Sequence, residues 1–580
     1  MLNKYEFLLI ISLGFFNALS GQQINEGVYN DWDYGPNGVY GNLRLTRITA
    51  RSYYKIERAD PQTANIFQIN PSGVVINIAV VTFVNGNLSR VEEINQWGET
   101  YEYRKYTMTA KNEFRVTDLV RGKNIFLPCK YALYVYRGEL LSEMQFYSFA
   151  DKLAEDRNGV AIIQYKRYDD PIRFAERKQT SFFDARRLPV TSKSTEYHTL
   201  INQYDDQDNN VSQSYFGIHD EPVTIRKSGV SGMRYFYDAD NNQVRIEYHG
   251  LDGKMTPNIN GIAAAGLEYA EGYQMKLTRY DSLGHTTRAL ASGDGVSFIK
   301  YEYDPSGNRI REAYFDESGK PMNNQLGIQE IVNSFSFGNM LTQVSYFDEF
   351  GKPCVDKDKI HISIYVKDQK NRIIQESSYG LKDDPIKTYT EEVFMIKKKY
   401  DEYGRNISDS YWADSSTRMP HWDGSYEALT KFNDDGQPIE YSSLDEKGAP
   451  FMSEDGSSVM KLIYNSDGVL AERRFLHNDL LINRKAGVSL HYSIVKYGHN
   501  PDGNVNELTF WGVDRKPVDA TVWVDDSIAV HRIVFTYRGN RIIEQQYYKA
   551  GAGEPFQTVD CLKNEFISAS GIGTGRKNAN

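Results

Sequence analysis

The chain has 580 residues, and 67 Lys and Arg against 77 Asp and Glu leave a formal net charge of −10. That balance excludes nucleic acid as the main ligand, because phosphate binding needs a basic surface. A mean hydropathy of −0.57 excludes a multispanning membrane protein. At about 100–200 residues per domain, the length admits several domains or one long array.

Residues 1–20 read as a signal peptide. Lys4 gives a positive start, Phe7 to Phe16 is a short apolar run, and Ala18-Leu19-Ser20 is a small-x-small cleavage site before Gly21. The run is too short to span a bilayer core of about 30 Å. The expectation is an exported protein, periplasmic, on the cell surface or secreted, with no membrane span after cleavage. Residues 21–80 lack the turn pattern that follows and read as an N-terminal β cap or small domain. Residues 81–160 read as divergent repeats, with turns at Gly86/Gly98 and Gly138/Asp151 and an insertion from Tyr101 to Lys130.

Residues 161–556 hold a repeat. The stretch Lys300 to Pro321 contains two Asp-x-x-Gly turns, Asp304–Gly307 and Asp316–Gly319. The first recurs down the chain, with Gly or Asn in its last slot at Asn210, Asn242, Gly272, Gly307, Gly338, Asn371, Gly404, Gly436, Gly468, Gly503 and Gly539. The second, with Gly319, Gly351 and Gly448 among its glycines, ends in Pro at Pro189, Pro222, Pro321, Pro353, Pro385, Pro420, Pro450, Pro517 and Pro555. Both ladders have a mean spacing of about 33 residues. Asp opens a type I turn by accepting backbone N–H bonds, and Gly supplies the positive φ at its end. Between turns, Ile299, Tyr301 and Tyr303 alternate with Lys300 and Glu302. That is the pattern of a half-buried strand.

Each unit is therefore a hairpin. A connector follows, often carrying another glycine such as Gly229, Gly261, Gly327, Gly424 or Gly456. One hairpin is not stable alone, so neighbours must share a sheet. The predicted fold is all-β: an elongated array of about 13 antiparallel hairpins in one continuous twisted or spiral sheet. Residues 557–580 read as a flexible tail.

The segments Tyr301 to Ile310 and Tyr400 to Ile407 resemble the Tyr-Asp (YD) repeats of RHS and teneurin-like proteins, and the likeness runs from about residue 160 to 555. The resemblance implies a long antiparallel strip wound into a shell or spiral, in extracellular or cell-envelope bacterial proteins. The unit here is longer than that family's, and the stretch after Pro555 is too short to fold a toxin unaided. An exported hairpin-repeat protein without assigned activity is the closer likeness.

Sites of chemistry are sparse. Cys129, Cys354 and Cys561 form no CxxC, and at most one pair could bridge. His361, His421, His491 and His531 fall in different units without ligand spacing, so no metal and no cofactor is expected. Asp238 to Asn242 starts like a calcium loop but lacks its Gly and final Glu. No catalytic residues stand out, and the expectation is not an enzyme. The aromatics are the one candidate class, because aromatic platforms stack on sugar rings. Trp412, Trp422 and Trp511, with Tyr411 and Tyr426, are the candidate binding residues. The leading functional expectation is a non-enzymatic scaffold or binding surface for a protein or glycan. The alternatives are a carbohydrate-binding array using exposed Tyr and Trp, and an RHS-like shell associated with a toxin.

Overall fold

The structure is a computed structural model that describes residues 23 to 568, apart from short internal stretches of which 45–51 and 522–528 are the longest. Residues 1–22, which include the expected signal peptide 1–20, the turn positions Gly503 and Gly539, and residues 569–580 lie outside the described residues. No described residue is helical; of the 43 described strands, four form two small two-stranded sheets and the other 39 form one sheet that does not close into a barrel. Pairing is antiparallel throughout this sheet except where Gln23–Ile24 runs parallel to Gly38–Val39. The predicted all-β hairpin array is what the chain forms.

The template unit shows how. Strand Phe298–Tyr303 pairs with Arg309–Phe315 over six registers, with a bulge at Glu302/Tyr303 where the first turn begins. Asp304 Oδ1 accepts from the N–H groups of Ser306 and Asn308, both at 2.9 Å, and Gly307 N–H returns to the Asp304 carbonyl at 2.9 Å. Gly307, Gly319, Gly338, Gly351, Gly404, Gly436, Gly448 and Gly468 all have positive φ. Two Asn-filled slots lie elsewhere than expected. The left-handed residues are Asp208 and Asn241, rather than Asn210 and Asn242. Each is the third residue after its turn aspartate, Asp205 or Asp238, which sets the register.

The second turn ends in a bridge. Its Pro does not simply stop a strand. Pro321 sits opposite Phe315 in an isolated bridge, and Pro189, Pro222, Pro353, Pro385, Pro450 and Pro517 do the same. The connector then makes a third tight turn, Asn324–Gly327, in which Asn324 Oδ1 accepts from Leu326 N–H at 2.9 Å and Ile328 N–H at 3.1 Å. Third turns are also joined along the array: Ile259 N–H donates to Ser228 O, and Gln325 N–H to Asp294 O, each at 3.0 Å. After five such turns the next residue is a buried β-branched side chain, Val160, Val230, Ile262, Val296 and Ile328, whereas a serine, Ser425 or Ser457, follows the turns that open at His421 and Ser453. The β-branched residues roof one face of the sheet, where Ile299 and Tyr314 pack under Val296 and Ile328. Each contributes about 1.5–3 kcal/mol of burial.

One third turn carries a mismatch. Lys359 is exposed at φ +64° in the slot that Gly327 fills one unit earlier. A left-handed non-glycine residue costs about 1–2 kcal/mol. Lys359→Gly is therefore expected to stabilise the array by about 0.5–1 kcal/mol after the extra chain entropy of glycine is subtracted. Denaturant titration checks this; Lys359→Ala should show no gain.

From strand Asn210–Phe216 to strand Arg532–Arg538, successive hairpins meet over only three registers, for example Arg311↔Val332 to Ala313↔Glu330. Beyond them the strands diverge, and side chains bridge the gap. The tyrosine before the first turn donates to a main-chain carbonyl of the preceding unit: Tyr237 to Asn210 O, Tyr303 to Gln274 O, Tyr400 to Ile373 O, Tyr464 to Pro438 O, and Tyr537 to Val505 O, at 2.7–3.1 Å. Burial pushes the Tyr237 phenol up to about 12. The residue after the turn's left-handed position reaches the other way. Arg372 and Arg405 clasp Asp368 and Asp401 and donate onward to Asp401 O at 3.1 Å and Asn433 O at 3.0 Å. Asn308 bonds Asn339 and Gln437 bonds Gly468 in the same slot. The Tyr-Asp pair is thus half turn and half staple.

The N-terminal residues join the same sheet. Segment Tyr101 to Lys130, read as an insertion, is largely the hairpin Thr100–Ala110/Glu113–Val120, paired to its neighbours on both sides. Its core includes Phe83, Phe114, Val116 and Tyr106. Strand alternation puts turns Asn70–Val74 and Asn95–Glu99 on the edge that carries the second turns further along. Those two turns rest on the first-turn edge of later repeats. Asn70 Nδ2 donates to Ser306 O at 3.0 Å, Ser72 N–H to Tyr273 Oη at 3.1 Å, and Trp97 Nε1 to Gly338 O at 2.6 Å. These partners are 201–241 residues apart in sequence. The ribbon coils, and this seam is where one layer sits on the next.

Candidate functional site

Trp412 and Trp511 close the return strands Asn406–Trp412 and Val505–Trp511, in the slot that Phe315 fills in the template. Both indoles are half-buried and alike in surroundings. Trp412 Nε1 donates to Ser410 Oγ at 3.0 Å, and Trp511 Nε1 to Thr509 Oγ1 at 2.8 Å. The ammonium of Lys397 sits 3.5 Å from the centre of the Trp412 ring, and that of Lys496 sits 4.0 Å from Trp511. Lys300 lies over Phe315 in the same way at 4.8 Å. A cation over the ring occupies the face a sugar would stack on.

Tyr411 points to the opposite side of the strand from Trp412, as alternation requires. It is buried with Val393 and Ile396 and stacks on the His421 ring at 4.6 Å. Tyr426 is half-buried; its carbonyl accepts from Arg418 Nη2 at 3.0 Å.

Trp422 differs. It is 68% exposed at the tip of the third turn His421–Gly424. That turn is firmly built: Gly424 N–H donates to His421 O at 2.9 Å, and Ser425 donates to Asp423 Oδ1 through N–H at 2.9 Å and Oγ at 2.7 Å. Burial opposes ionisation of Asp423, but these bonds and His421 hold its carboxyl below the usual carboxylate range. Gly424, at φ +89°, lets the Phe451 ring approach; a Cβ there would lie 2.7 Å from its Cζ. An exposed indole on a fixed turn is a ready anchor for an apolar or sugar face.

The five aromatics therefore do not share one platform. Tyr411, Trp412, Trp422 and Tyr426 belong to one repeat but point into different surroundings, and Trp511 lies further along the array. The cysteines form no disulfide. Burial and the Asp156 charge push the Cys129 thiol up to about 12. Among the described residues, no three His, Cys, Asp or Glu side chains gather as metal ligands, and no helix is long and apolar enough to cross a membrane. The sequence reading missed the stapling role of the tyrosines, although their constant place before the turn was the available signal.

No family model and no curated protein matches the chain. Among solved structures, it is similar to a chain in the crystal structure of TcdB2-TccC3-Cdc42, at 11% identity and a TM-score of 0.29. The likeness covers 90% of this chain and 32% of that one, so this chain spans about a third of its length.

Proposed function

We propose that this chain is an exported, non-enzymatic β-repeat protein that serves as a scaffold or binding surface in the cell envelope or outside the cell. The observation that supports this best is the staple ladder. The most regularly placed polar side chains of the repeat hold neighbouring units in register. Turn tips outside the seam, such as those at Leu283, Phe350 and Trp422, remain exposed for contact. Such a ribbon offers a long, stiff surface whose outward residues differ from unit to unit. Fractionation of producing cells, with mass spectrometry of the mature N-terminus, tests the reading. The expected result is a chain starting at Gly21 outside the cytoplasm; an intact leader on cytoplasmic protein overturns it.

A second reading, carbohydrate binding, is favoured by Trp422 alone among the five aromatics. A glycan array should then show retention that Trp422→Ala removes and Trp412→Ala leaves in place. Equal loss in both variants would count against a site at this turn.

A further inference from the structure

Six second turns carry an exposed apolar side chain at or beside the tip, Leu188, Ile218, Leu251, Leu283, Phe350 and Leu381, while the turn between Leu283 and Phe350 carries Glu317 and Ser318. Leu283 and Phe350 are 78% and 76% exposed. Nothing in the turn chemistry asks for them. Asp281 Oδ1 and Asp348 Oδ1 accept from the main-chain N–H groups of Leu283 and Phe350, both at 2.9 Å, and any residue supplies that group. Tips of this kind are normally polar. Successive repeats are two strands apart, about 10 Å, so these side chains line one edge of the ribbon from Leu188 to Leu381, with one polar gap at Glu317 and Ser318.

The opposite edge is also marked. Where the N-terminal hairpins turn, Val84, Met108 and Leu140 are exposed at or beside the tips. Within the chain these two kinds of edge already meet. At the seam, the turns at Asn70 and Asn95, which belong to the second-turn edge, sit on the first turns at Gly307 and Gly338. The coil leaves one edge of each kind uncovered, the second-turn edge of the later repeats and the first-turn edge of the N-terminal hairpins.

We propose that a second copy of this chain continues the seam. The apolar second-turn edge of one copy seats on the first-turn edge of the next copy's N-terminal hairpins. The contact joins two different surfaces, so it is head-to-tail and does not close at two copies. This goes beyond the scaffold reading and stands without it.

Sedimentation velocity of the full chain tests the proposal. The wild type should gain mass with concentration, with no plateau at a dimer. Leu283→Glu/Phe350→Glu removes one edge and Met108→Glu/Leu140→Glu the other; each variant alone should stay monomeric. Mixing the two should restore association but stop it at dimers, because each retains the edge the other lacks. A wild type that is monomeric up to its solubility limit overturns the proposal. So does association that the variants leave unchanged, or a mixture that stays monomeric. All four residues are exposed, and circular dichroism confirms that the variants fold; if either does not, the serine substitutions at the same positions carry the same test.

Discussion

Arg104→Met should destabilise the N-terminal hairpins by about 3–5 kcal/mol. Arg104 Nε donates to Asp118 Oδ2 at 2.6 Å, Nη1 donates to the Tyr34 hydroxyl at 2.9 Å, and the same guanidinium pairs with Glu102. The Asp118 side chain is almost wholly enclosed, and its Oδ1 has no hydrogen-bond partner in the protein. Burial raises the Asp118 pKa even with Arg104 in place. Without the guanidinium, the site must hold a bare carboxylate or a proton. A carboxyl whose folded pKa lies above its unfolded value contributes most below the unfolded pKa and least once the pH has risen past the folded one. The deficit of Arg104→Met should therefore shrink as the pH is lowered through the carboxylate range. Native-state hydrogen exchange of amides in 100–120 measures both effects. Arg104→Met/Asp118→Leu should recover most of the loss, because replacing both partners removes the buried charge. A single variant that exchanges like the wild type at neutral pH would refute this account.

Gly307→Ala should cost clearly more than Gly351→Ala, although both positions have positive φ. Each substitution incurs the left-handed penalty of about 1–2 kcal/mol. At Gly351 a methyl group meets nothing within 4 Å. At Gly307 it would collide with Tyr273 Oη and lie 2.8 Å from Asn70 Nδ2, two of the groups that form the seam. The ring must move, and its bonds to Ser72 N–H at 3.1 Å and Ser72 Oγ at 3.0 Å go with it. A further loss of about 2–3 kcal/mol is expected, from two or three such bonds at about 1 kcal/mol each. Limited proteolysis near residues 70–74 should speed up in Gly307→Ala alone. Equal rates in the two variants would mean that the seam contributes nothing to holding the layers together.

The first and second turns were legible in the sequence because their chemistry is local: an aspartate, two residues, then a glycine, all bonding to one another. The third turn was hidden because its opening residue changes from Asn258 and Asn324 to Asp356, His421 and Ser453. Different side chains reach the same geometry at that position, and only the closing glycine, as at Gly261, Gly327, Gly424 and Gly456, repeats. The turns read at Gly86, Gly98, Gly138 and Asp151 are present, but the hairpin inside residues 101–130 escaped for a related reason. Its strands are longer, up to the 11 residues of Thr100–Ala110, and its tight turn does not keep the beat of the later units. The seam joins residues more than 200 positions apart, and no local pattern encodes such a meeting. Among the candidate aromatics, Trp412 and Trp511 share the phase of Phe315 and Tyr379, which marks a structural slot. Trp422 is out of that phase, and it is the one whose ring reaches solvent.

The brevity of the junction between hairpins sets how this ribbon answers a pull on its two ends. Tension applied across the strands meets six-register pairs within a unit but three-register pairs between units. The weaker lines should part first, one after another, as teeth leave a zipper. Each unit of about 33 residues, once its junction has parted and its hairpin has opened behind it, would lengthen the chain by about 110–120 Å. In an optical trap that would give an evenly stepped extension trace, and loss of a tyrosine hydroxyl such as that of Tyr303 would lower the force of a single step.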